Sequence, residues 1–261
     1  MKITEDSQRE SAAIILGAGR GTRLLTVAAP YTKTILPVNG LPVIAYATKA
    51  VASYVDKIVV VAHPSTATAV SQAAAAGMPD DRQIILTLQH EPTGMADAIR
   101  LGLEALQGDY AAVILCGDNI VLDEQNVRNV LDCVESDHDG RIPVGLAWTY
   151  LEWEPEEASR FSVYKSLAEG CGKLIEKPSN PPSKICWCGP IAFSSSNDAL
   201  QRISRLIPSE RGEYEATDLM NSYLLQGDSC RLPLTGEWFD IGTPASLQEA
   251  RYFIENKLRS S

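Results

Sequence analysis

The hydrophobic and polar positions in the first half of the chain form short apolar runs that alternate with longer stretches rich in alanine and leucine. The apolar runs, which predict strands buried on both faces, are 12–16, 58–62, 84–88 and 111–116. The intervening stretches, which predict helices, are 42–54, 65–76 and 94–106. This order predicts right-handed crossovers and a Rossmann-like, doubly wound α/β fold. Ligands of such folds bind at the carboxyl ends of the strands.

The second half of the chain has a more mixed pattern. Its predicted strands are 142–148, 161–164, 173–175 and 185–193. Its predicted helices are 197–206, 214–225 and 244–258. No linker or change in composition separates the two halves. We therefore predict one domain over residues 1–261, with halves of about 1–125 and about 126–261.

Charge and composition exclude several classes of protein. The 23 basic and 33 acidic residues give a net charge of −10, which disfavours nucleic acid and anionic membranes as partners. The first ten residues are polar, and no apolar run approaches the roughly 18 residues of a membrane span. Six cysteines without a framework spacing favour a reducing, cytoplasmic location. The sequence leaves the oligomeric state open, a homo-oligomer included.

A glycine-rich loop, G-A-G-R-G-T-R at 17–23, follows the first predicted strand. Glycines let the backbone approach a phosphate and turn its N–H groups toward it. The third glycine, Gly21, falls one position early for a dinucleotide fold, and no G-K-[ST] ending marks a P-loop. Arg20, Arg23 and Lys33 instead suit a polyphosphate whose charge must be neutralised. A tight turn with solvated arginines is the alternative interpretation.

The stretch 14–37, I-I-L-G-A-G-R-G-T-R-L followed by K-T-I-L-P, resembles the signature of the sugar-1-phosphate nucleotidylyltransferases. Within this family the stretch is most similar to the glucose-1-phosphate thymidylyltransferases. The spacing from Arg23 to Lys33 equals the spacing between the arginine and the lysine in their pattern. Ala18 departs from the pattern, which usually has a second glycine there. The resemblance implies a nucleotide-diphospho-sugar transferase fold that uses Mg²⁺. The implied activity joins an NTP and a sugar 1-phosphate and releases pyrophosphate.

Two further motifs extend the resemblance over the nucleotide-binding half, about 1–125. Q-H-E-P-T-G-M-A at 89–96 resembles the base-reading segment, and L-C-G-D-N at 115–119 resembles L-x-G-D-N. An amide such as that of Gln89 suits uracil or thymine, which favours dTTP or UTP, although it could also turn to read cytosine. The implied nucleotide-binding residues are Leu16, Gly17, Ala18, Gly19, Gly21, Thr22, Gln89, Pro92, Gly94 and Met95.

Asp118 ends a buried apolar strand and therefore faces the predicted ligand crevice. A carboxylate there is a suitable Mg²⁺ ligand, and the alternative is a helix cap. W-F-D-I-G-T at 238–243 resembles W-x-D-x-G-T, whose aspartate, here Asp240, is implied as the second metal ligand. The implied catalytic residues are Arg23, Lys33, Asp118, Lys177 and Asp240.

Sugar-binding motifs follow in the second half, about 126–261. E-K-P at 176–178 resembles the family's E-K-P, which implies that Glu176 binds sugar hydroxyls and Lys177 the sugar phosphate, and E-A-T-D at 215–218 resembles E-[IV]-T-D, whose threonine lies near the sugar. The implied sugar-phosphate-binding residues are Gly117, Phe161, Ser162, Glu176, Lys177, Gly189, Thr217 and Trp238. Phe161 and Ser162 stand where the family has tyrosine and glycine. This departure suggests a modified sugar or one other than glucose.

Three alternatives remain open at this point. One is a cytidylyltransferase that acts on a non-sugar phosphate or phosphonate, and another is a non-catalytic regulatory subunit that binds nucleotide sugars. The third, a dinucleotide-dependent oxidoreductase, is disfavoured by the position of Gly21. Cys186 and Cys188 lack a second pair at zinc spacing, so we predict packed thiols rather than a metal site.

Overall fold

A computed structural model describes residues 9–19, 32–79, 82–135, 143–167 and 171–260. Its strands are β1 (Ser11–Leu16), β2 (Pro37–Val38), β3 (Leu41–Pro42), β4 (Lys57–Ala62), β5 (Ile84–Leu88), β6 (Ala111–Cys116), β7 (Asn119–Val121), β8 (Leu146–Glu152), β9 (Ser162–Ser166), β10 (Gly172–Glu176), β11 (Ile185–Phe193), β12 (Ser229–Pro233) and β13 (Trp238–Asp240). Its α-helices are α1 (Val43–Val51), α2 (Ala67–Ala75), α3 (Met95–Glu104), α4 (Gln125–Val134), α5 (Pro155–Ala158), α6 (Ser196–Ile203), α7 (Ala216–Leu224) and α8 (Pro244–Ser260). Short 3₁₀ turns cover Lys33–Ile35 and Pro64–Thr66.

Four parallel strands in the order β5-β4-β1-β6 form one side of the main sheet, with β5 at its edge. Ile14 of β1 lies opposite Val59 on one side and Ile114 on the other. These strands coincide with the four apolar runs, and helices connect them. The predicted mixed, doubly wound α/β sheet is confirmed.

Both faces of this sheet are covered, which explains why its strands are continuously apolar. Ala12 and Ile14 of β1 join a core with α3, α6 and α7, whereas Ala13 and Ile15 point to a second core with α1, α2 and α4. Successive side chains of a strand point to opposite faces, so a strand between two helical layers needs apolar residues at every position.

The long strand β11 carries the sheet into the second half. Its last residues pair antiparallel with β6, and its whole length follows β8, while Cys186 near its start pairs with β9. The register against β8 shifts between Trp187 and Ile191, around Gly189, which has a φ of +78°. Gly189, at this irregularity, lines the cavity described below.

The prediction of a strand over 142–148 is wrong in its boundaries. The strand β8 begins at Leu146 and continues to Glu152. Pro143 has no N–H for a ladder, and the N–H of Gly145 donates to the Asp228 carboxylate at 2.7 Å instead. Residue 142 lies outside the described residues. The elements β2, β3, β7, β12, β13, α4 and α5 were not predicted.

Cys186 and Cys188 are packed thiols, as the sequence predicts. Cys186 and Cys188 are buried with Val163 and Leu234 in a small apolar cluster. Burial raises the pKa of Cys186 to about 11 and that of Cys188 to about 12, so both thiols stay protonated. Within the described part of the chain, no cysteine forms a disulfide, and no helix is long and apolar enough to cross a membrane.

Candidate active site

A cavity of about 440 Å³ lies beyond the carboxyl end of β6, between the two halves of the chain. Its position agrees with the ligand crevice of a doubly wound sheet. The predicted site residues that line it are Lys33, Met95, Asp118, Phe161, Ser162, Glu176, Lys177, Gly189, Thr217, Trp238 and Asp240. Residues predicted separately for catalysis, metal binding and sugar binding are thus brought together.

Asp118 and Asp240 reach the same wall of this cavity through a small two-stranded sheet. The strands β7 and β13 pair antiparallel, with Asn119 opposite Asp240. The backbone N–H of Ile241 also donates to the carbonyl of Asp118 at 2.9 Å. Asp118 leads into the strand β7 and not into a helix, so the helix-cap alternative is wrong.

Lys33 forms an ion pair with Asp118 inside the cavity. Their side chains are only 12% and 22% exposed, so water screens this pair poorly. The neighbouring Thr32 hydroxyl donates to the carbonyl of Gly19 at 3.3 Å, which brings Lys33 close to the glycine-rich loop. Burial, together with the charges of Asp118 and Asp240, raises the pKa of the Cys116 thiol, so this cavity residue is not a nucleophile at neutral pH.

Glu176 is held by several donors at the end of β10. Lys177 Nζ donates to its Oε1 at 2.6 Å, and the Ser162 hydroxyl donates to its Oε2 at 2.5 Å. Burial alone would raise the pKa of Glu176, but these hydrogen bonds and the charges of Lys177 and Arg211 outweigh it and lower the pKa. Glu176 is therefore an ionised acceptor. Lys177 has a φ of +42°, an unusual conformation for a residue other than glycine.

An aromatic wall faces this carboxylate. The Phe161 ring stacks on Trp153 at 5.7 Å and meets the edge of Trp238 at 5.8 Å. The Trp238 Nε1–H donates to Asn119 Oδ1 at 3.2 Å, which orients the indole. The wall lacks a hydroxyl at Phe161, and the Ser162 side chain is buried and engaged with Glu176.

Of the predicted nucleotide-binding residues that the structure describes, only Met95 lines the cavity, and the others lie at or just after the ends of the same strands. Gly117, predicted to bind the sugar phosphate, does not line it either. Gly17 donates its N–H to the carbonyl of Val61 at 2.7 Å, and Gly117 donates to Leu16 at 2.9 Å. A Cβ on Gly117 would lie 2.8 Å from the Leu16 carbonyl, so this crossing requires glycine. The others at this edge are Ala18, Gly19, Gln89, Pro92 and Gly94, and Ala18 has no positive φ.

Three of the predicted site residues, Gly21, Thr22 and Arg23, lie outside the described residues, as does Arg20. Their roles stay predictions. Sequence reasoning also missed Arg211, whose guanidinium lies 2.8 Å from Glu215 and 3.7 Å from Glu176. Its signal was its place four residues before Glu215 in a motif already identified. Arg160, Trp187 and Cys116 also line the cavity, and the sequence analysis gave them no role in the site.

Comparison with known proteins tests this assembly. The family model described as Nucleotidyl transferase matches residues 12–257. The chain belongs to the nucleotidyl transferase family. Glucose-1-phosphate thymidylyltransferases of Xanthomonas campestris and Mycobacterium tuberculosis are each 31% identical to it. These alignments cover 93% and 92% of this chain and 80% and 81% of the relatives.

Two solved structures have a fold similar to that of this chain. A Bacillus anthracis protein described as a glucose-1-phosphate thymidylyltransferase, solved with sucrose, is 25% identical, with a TM-score of 0.76 over 93% of this chain and 94% of that one. A UDP-glucose pyrophosphorylase complexed with UDP-glucose has a TM-score of 0.77, covers 95% and 99% of the two chains, and at 19% identity shows the fold alone. The predicted fold and enzyme class, a sugar-1-phosphate nucleotidyltransferase, are confirmed.

Proposed function

We propose that this nucleotidyltransferase transfers a nucleotidyl group from dTTP or UTP to a sugar 1-phosphate and releases pyrophosphate. The observation that carries the proposal is a single cavity that combines Lys33, Asp118 and Asp240 with Glu176 and Lys177. Residues of about 1–125 supply most of the nucleotide site, and residues of about 126–261 supply the sugar phosphate site. The names of the thymidylyltransferase relatives support the same assignment.

The chemistry needs charge neutralisation more than proton transfer. An oxygen of the sugar phosphate attacks the α-phosphorus, and the bond from that phosphorus to the departing pyrophosphate breaks. The attacking oxygen is already ionised at neutral pH, so no general base is required. Catalysis then comes from positioning and from fixed positive charge. Lys33 stabilises the leaving pyrophosphate, and Arg23 with the glycine loop binds the β- and γ-phosphates.

Asp118 and Asp240 form a donor set that fits Mg²⁺. This ion prefers carboxylate oxygens and usually takes one or two of them, completing its shell with water and substrate phosphates. No group of three or more His, Cys, Asp or Glu side chains that could hold a metal occurs among the described residues, so water and substrate phosphates would have to complete the shell of an ion held by Asp118 and Asp240. When bound, Mg²⁺ would polarise the α-phosphate. Lys33 balances the Asp118 charge in the protein alone.

Glu176 and Lys177 hold the sugar phosphate. The ionised Glu176 carboxylate accepts hydrogen bonds from sugar hydroxyls, and the Lys177 ammonium binds the phosphate. Thr217, Gly189 and Trp238 complete the wall around the sugar. Because Phe161 offers no hydroxyl and Ser162 is engaged with Glu176, we propose a modified sugar or one other than glucose.

A reducing, cytoplasmic location is part of this proposal, and its support is the sequence, whose six cysteines have no framework spacing.

A matrix of pyrophosphate release tests the function. The common NTPs are combined with a panel of sugar 1-phosphates and with phosphocholine and phosphonate esters, in Mg²⁺ or in EDTA. We expect the highest kcat/KM with dTTP or UTP and one sugar 1-phosphate, and loss of turnover in EDTA. A Lys33→Met variant is the matched negative control. Turnover confined to CTP with a non-sugar ester, or nucleotide-sugar binding without turnover, would contradict the proposal.

A further inference from the structure

The side-chain amide of Gln89 is fixed in one orientation. Gln89 follows β5, donates its backbone N–H to Ala62 at 2.9 Å, and is 6% exposed. Its Nε2 donates to the carbonyl of Gly94 at 3.0 Å and to Asp97 Oδ2 at 3.1 Å. A carbonyl and a carboxylate can only accept hydrogen bonds. Exchanging the amide nitrogen and oxygen would therefore place Oε1 against two acceptors.

Asp97 is itself rigidly held. The Thr93 hydroxyl donates to its Oδ2 at 2.5 Å, and Arg100 donates to its Oδ1 from Nε at 3.1 Å and from Nη2 at 2.7 Å. Burial would raise the pKa of Asp97, but the hydrogen bonds from Thr93, Arg100 and Gln89 lower it overall. The carboxylate is thus an ionised acceptor throughout the physiological range.

The surrounding backbone leaves little freedom for this group to move. Gly94 has a φ of +115°, and a Cβ there would lie 2.4 Å from the Tyr214 carbonyl. Tyr214 donates its N–H to Thr93 at 2.8 Å and accepts from Ala96 at 2.9 Å. The segment that carries Thr93, Gly94 and Asp97 is therefore tied to a residue of the second half.

We propose that Asp97 is a positioning residue for base selection, because it fixes the Gln89 amide so that the oxygen Oε1 is presented to the nucleotide. The described residues supply no donor to this Oε1. An acceptor here matches the N3–H of uracil or thymine and opposes the N3 lone pair of cytosine. The inference rests on the proposed function, and it assigns the preference for uracil or thymine over cytosine to Gln89 and Asp97.

The variant Asp97→Asn tests this role. Its amide can donate to Gln89 Oε1, so only the Gly94 carbonyl still opposes the second orientation of the Gln89 amide, and that orientation becomes accessible. We expect the ratio of kcat/KM for UTP to that for CTP to fall about tenfold or more, with KM for UTP raised and kcat at saturating UTP nearly kept. A purely structural role would lower turnover with both nucleotides equally and leave the ratio unchanged, which would overturn the inference.

Glu104→Gln is the matched control. Glu104 accepts from the same Arg100 at 2.8 Å, but its side chain is half-exposed and does not contact Gln89. We expect this control to keep the UTP to CTP ratio of the wild type. A ratio that falls equally in both variants would overturn the specific role of Asp97.

A readout in the substrate-free protein is independent of turnover. The Gln89 side-chain NH₂ resonances, assigned by their loss in Gln89→Glu, should exchange slowly in the wild type and about tenfold faster in Asp97→Asn. Exchange as fast as in a solvated glutamine would overturn the positioning role. A wild type with slow exchange but equal kcat/KM for UTP and CTP would reject the base preference of the proposed function and with it the selective role. If the wild type prefers UTP to CTP and Asp97→Asn keeps that preference, the inference about Asp97 is rejected while the proposed function stands.

Discussion

Lys33 and Asp118 form an ion pair inside the cavity, 85 positions apart in sequence, with Lys33 contributed from beside the glycine loop and Asp118 from the end of β6. Both groups are mostly buried; Lys33 is proposed to stabilise the leaving pyrophosphate, and Asp118 is proposed to hold Mg²⁺. The pair keeps the cavity electrostatically balanced before substrate arrives. A triphosphate that enters must compete for the Lys33 ammonium, which releases Asp118 from its partner.

Asp118→Asn should abolish most turnover while the protein stays folded. The neutral amide is a poorer ligand for Mg²⁺ and no longer balances Lys33, so we expect kcat to fall about 100-fold or more. Pyrophosphate release measures the rate, and circular dichroism checks the fold. The matched control is Asp132→Asn, which removes a carboxylate from an exposed pair with Arg128 on α4. Rates near the wild type in Asp118→Asn would contradict the metal assignment.

The ion pair should also be visible in stability. Lys33→Ala leaves the Asp118 carboxylate without this partner in a poorly solvated site, and we expect it to cost about 1–3 kcal/mol of unfolding free energy. Adding Asp118→Asn should recover part of that loss, because the remaining charge is then removed. Urea unfolding of the two single variants and the double variant gives the coupling energy. Additive effects would show that the two groups do not interact.

Lys177 combines a charge with a strained backbone, and substitutions can separate the two. Lys177→Ala and Lys177→Gly should both raise KM for the sugar 1-phosphate about tenfold or more, because both remove the ammonium. At the φ of +42°, however, glycine carries no Cβ penalty, so the glycine variant should be more stable than the alanine variant by about 1 kcal/mol. Steady-state kinetics and thermal unfolding give the two quantities. Equal stability of the variants would show that the backbone is not strained there.

Much of the fold is predictable because its central strands are buried on both faces. The run 58–62 needed no tertiary information, since five consecutive apolar residues, all of which are buried in β4, indicate a strand covered on both faces. The helix α4 could also have been predicted, because its apolar residues recur at helical spacing. These residues, which are buried in the structure, are Val127, Val130, Leu131 and Val134.

Other parts of the site could not be predicted from local pattern. The strands β7 and β13 have three residues each, too few for a periodic signal, and exist because they pair with each other. That pairing brings Asp118 and Asp240 together, so only the family resemblance could connect them. The orientation of the Gln89 amide was left open by its residue type, because an amide both donates and accepts. Asp97, eight positions away, decides it in the structure.

The Ser162 hydroxyl should make stability depend on pH through Glu176. Because the folded-state pKa of Glu176 lies below its ordinary value of 4.5, its stabilisation is present above about that pH and disappears as the pH falls through the folded-state value. Ser162→Ala removes one of the donors, so it should be less stable than the wild type by about 1–2 kcal/mol at neutral pH, and the difference should shrink toward acid pH. Urea unfolding from about pH 7 down to about pH 2.5, which reaches below the ordinary pKa of a glutamate, measures it.

The control for this pH dependence is Ser166→Ala. Ser166 lies on the same strand, and its exposed hydroxyl donates only to the carbonyl of Leu167 at 3.5 Å. Its effect on stability should be small and independent of pH. A Ser162→Ala offset that stays constant as the carboxyl protonates would show that the hydroxyl does not stabilise the charged form of Glu176.

Gly94 should tolerate no side chain, because two independent restrictions meet there. Its φ of +115° disfavours any L-residue, and a Cβ would lie 2.4 Å from the Tyr214 carbonyl oxygen and 2.5 Å from its nitrogen. Gly94→Ala should therefore lower the free energy of unfolding by about 3 kcal/mol and loosen the attachment of the Gln89 segment to the second half.

The control Gly40→Ala separates the two causes, since Gly40 has a φ of +80° but no atom within 4 Å of an added Cβ. We expect that control to cost only about 1 kcal/mol, the backbone contribution alone. Equal losses in the two variants, measured by urea unfolding, would mean that the contact with Tyr214 adds nothing to the requirement for glycine.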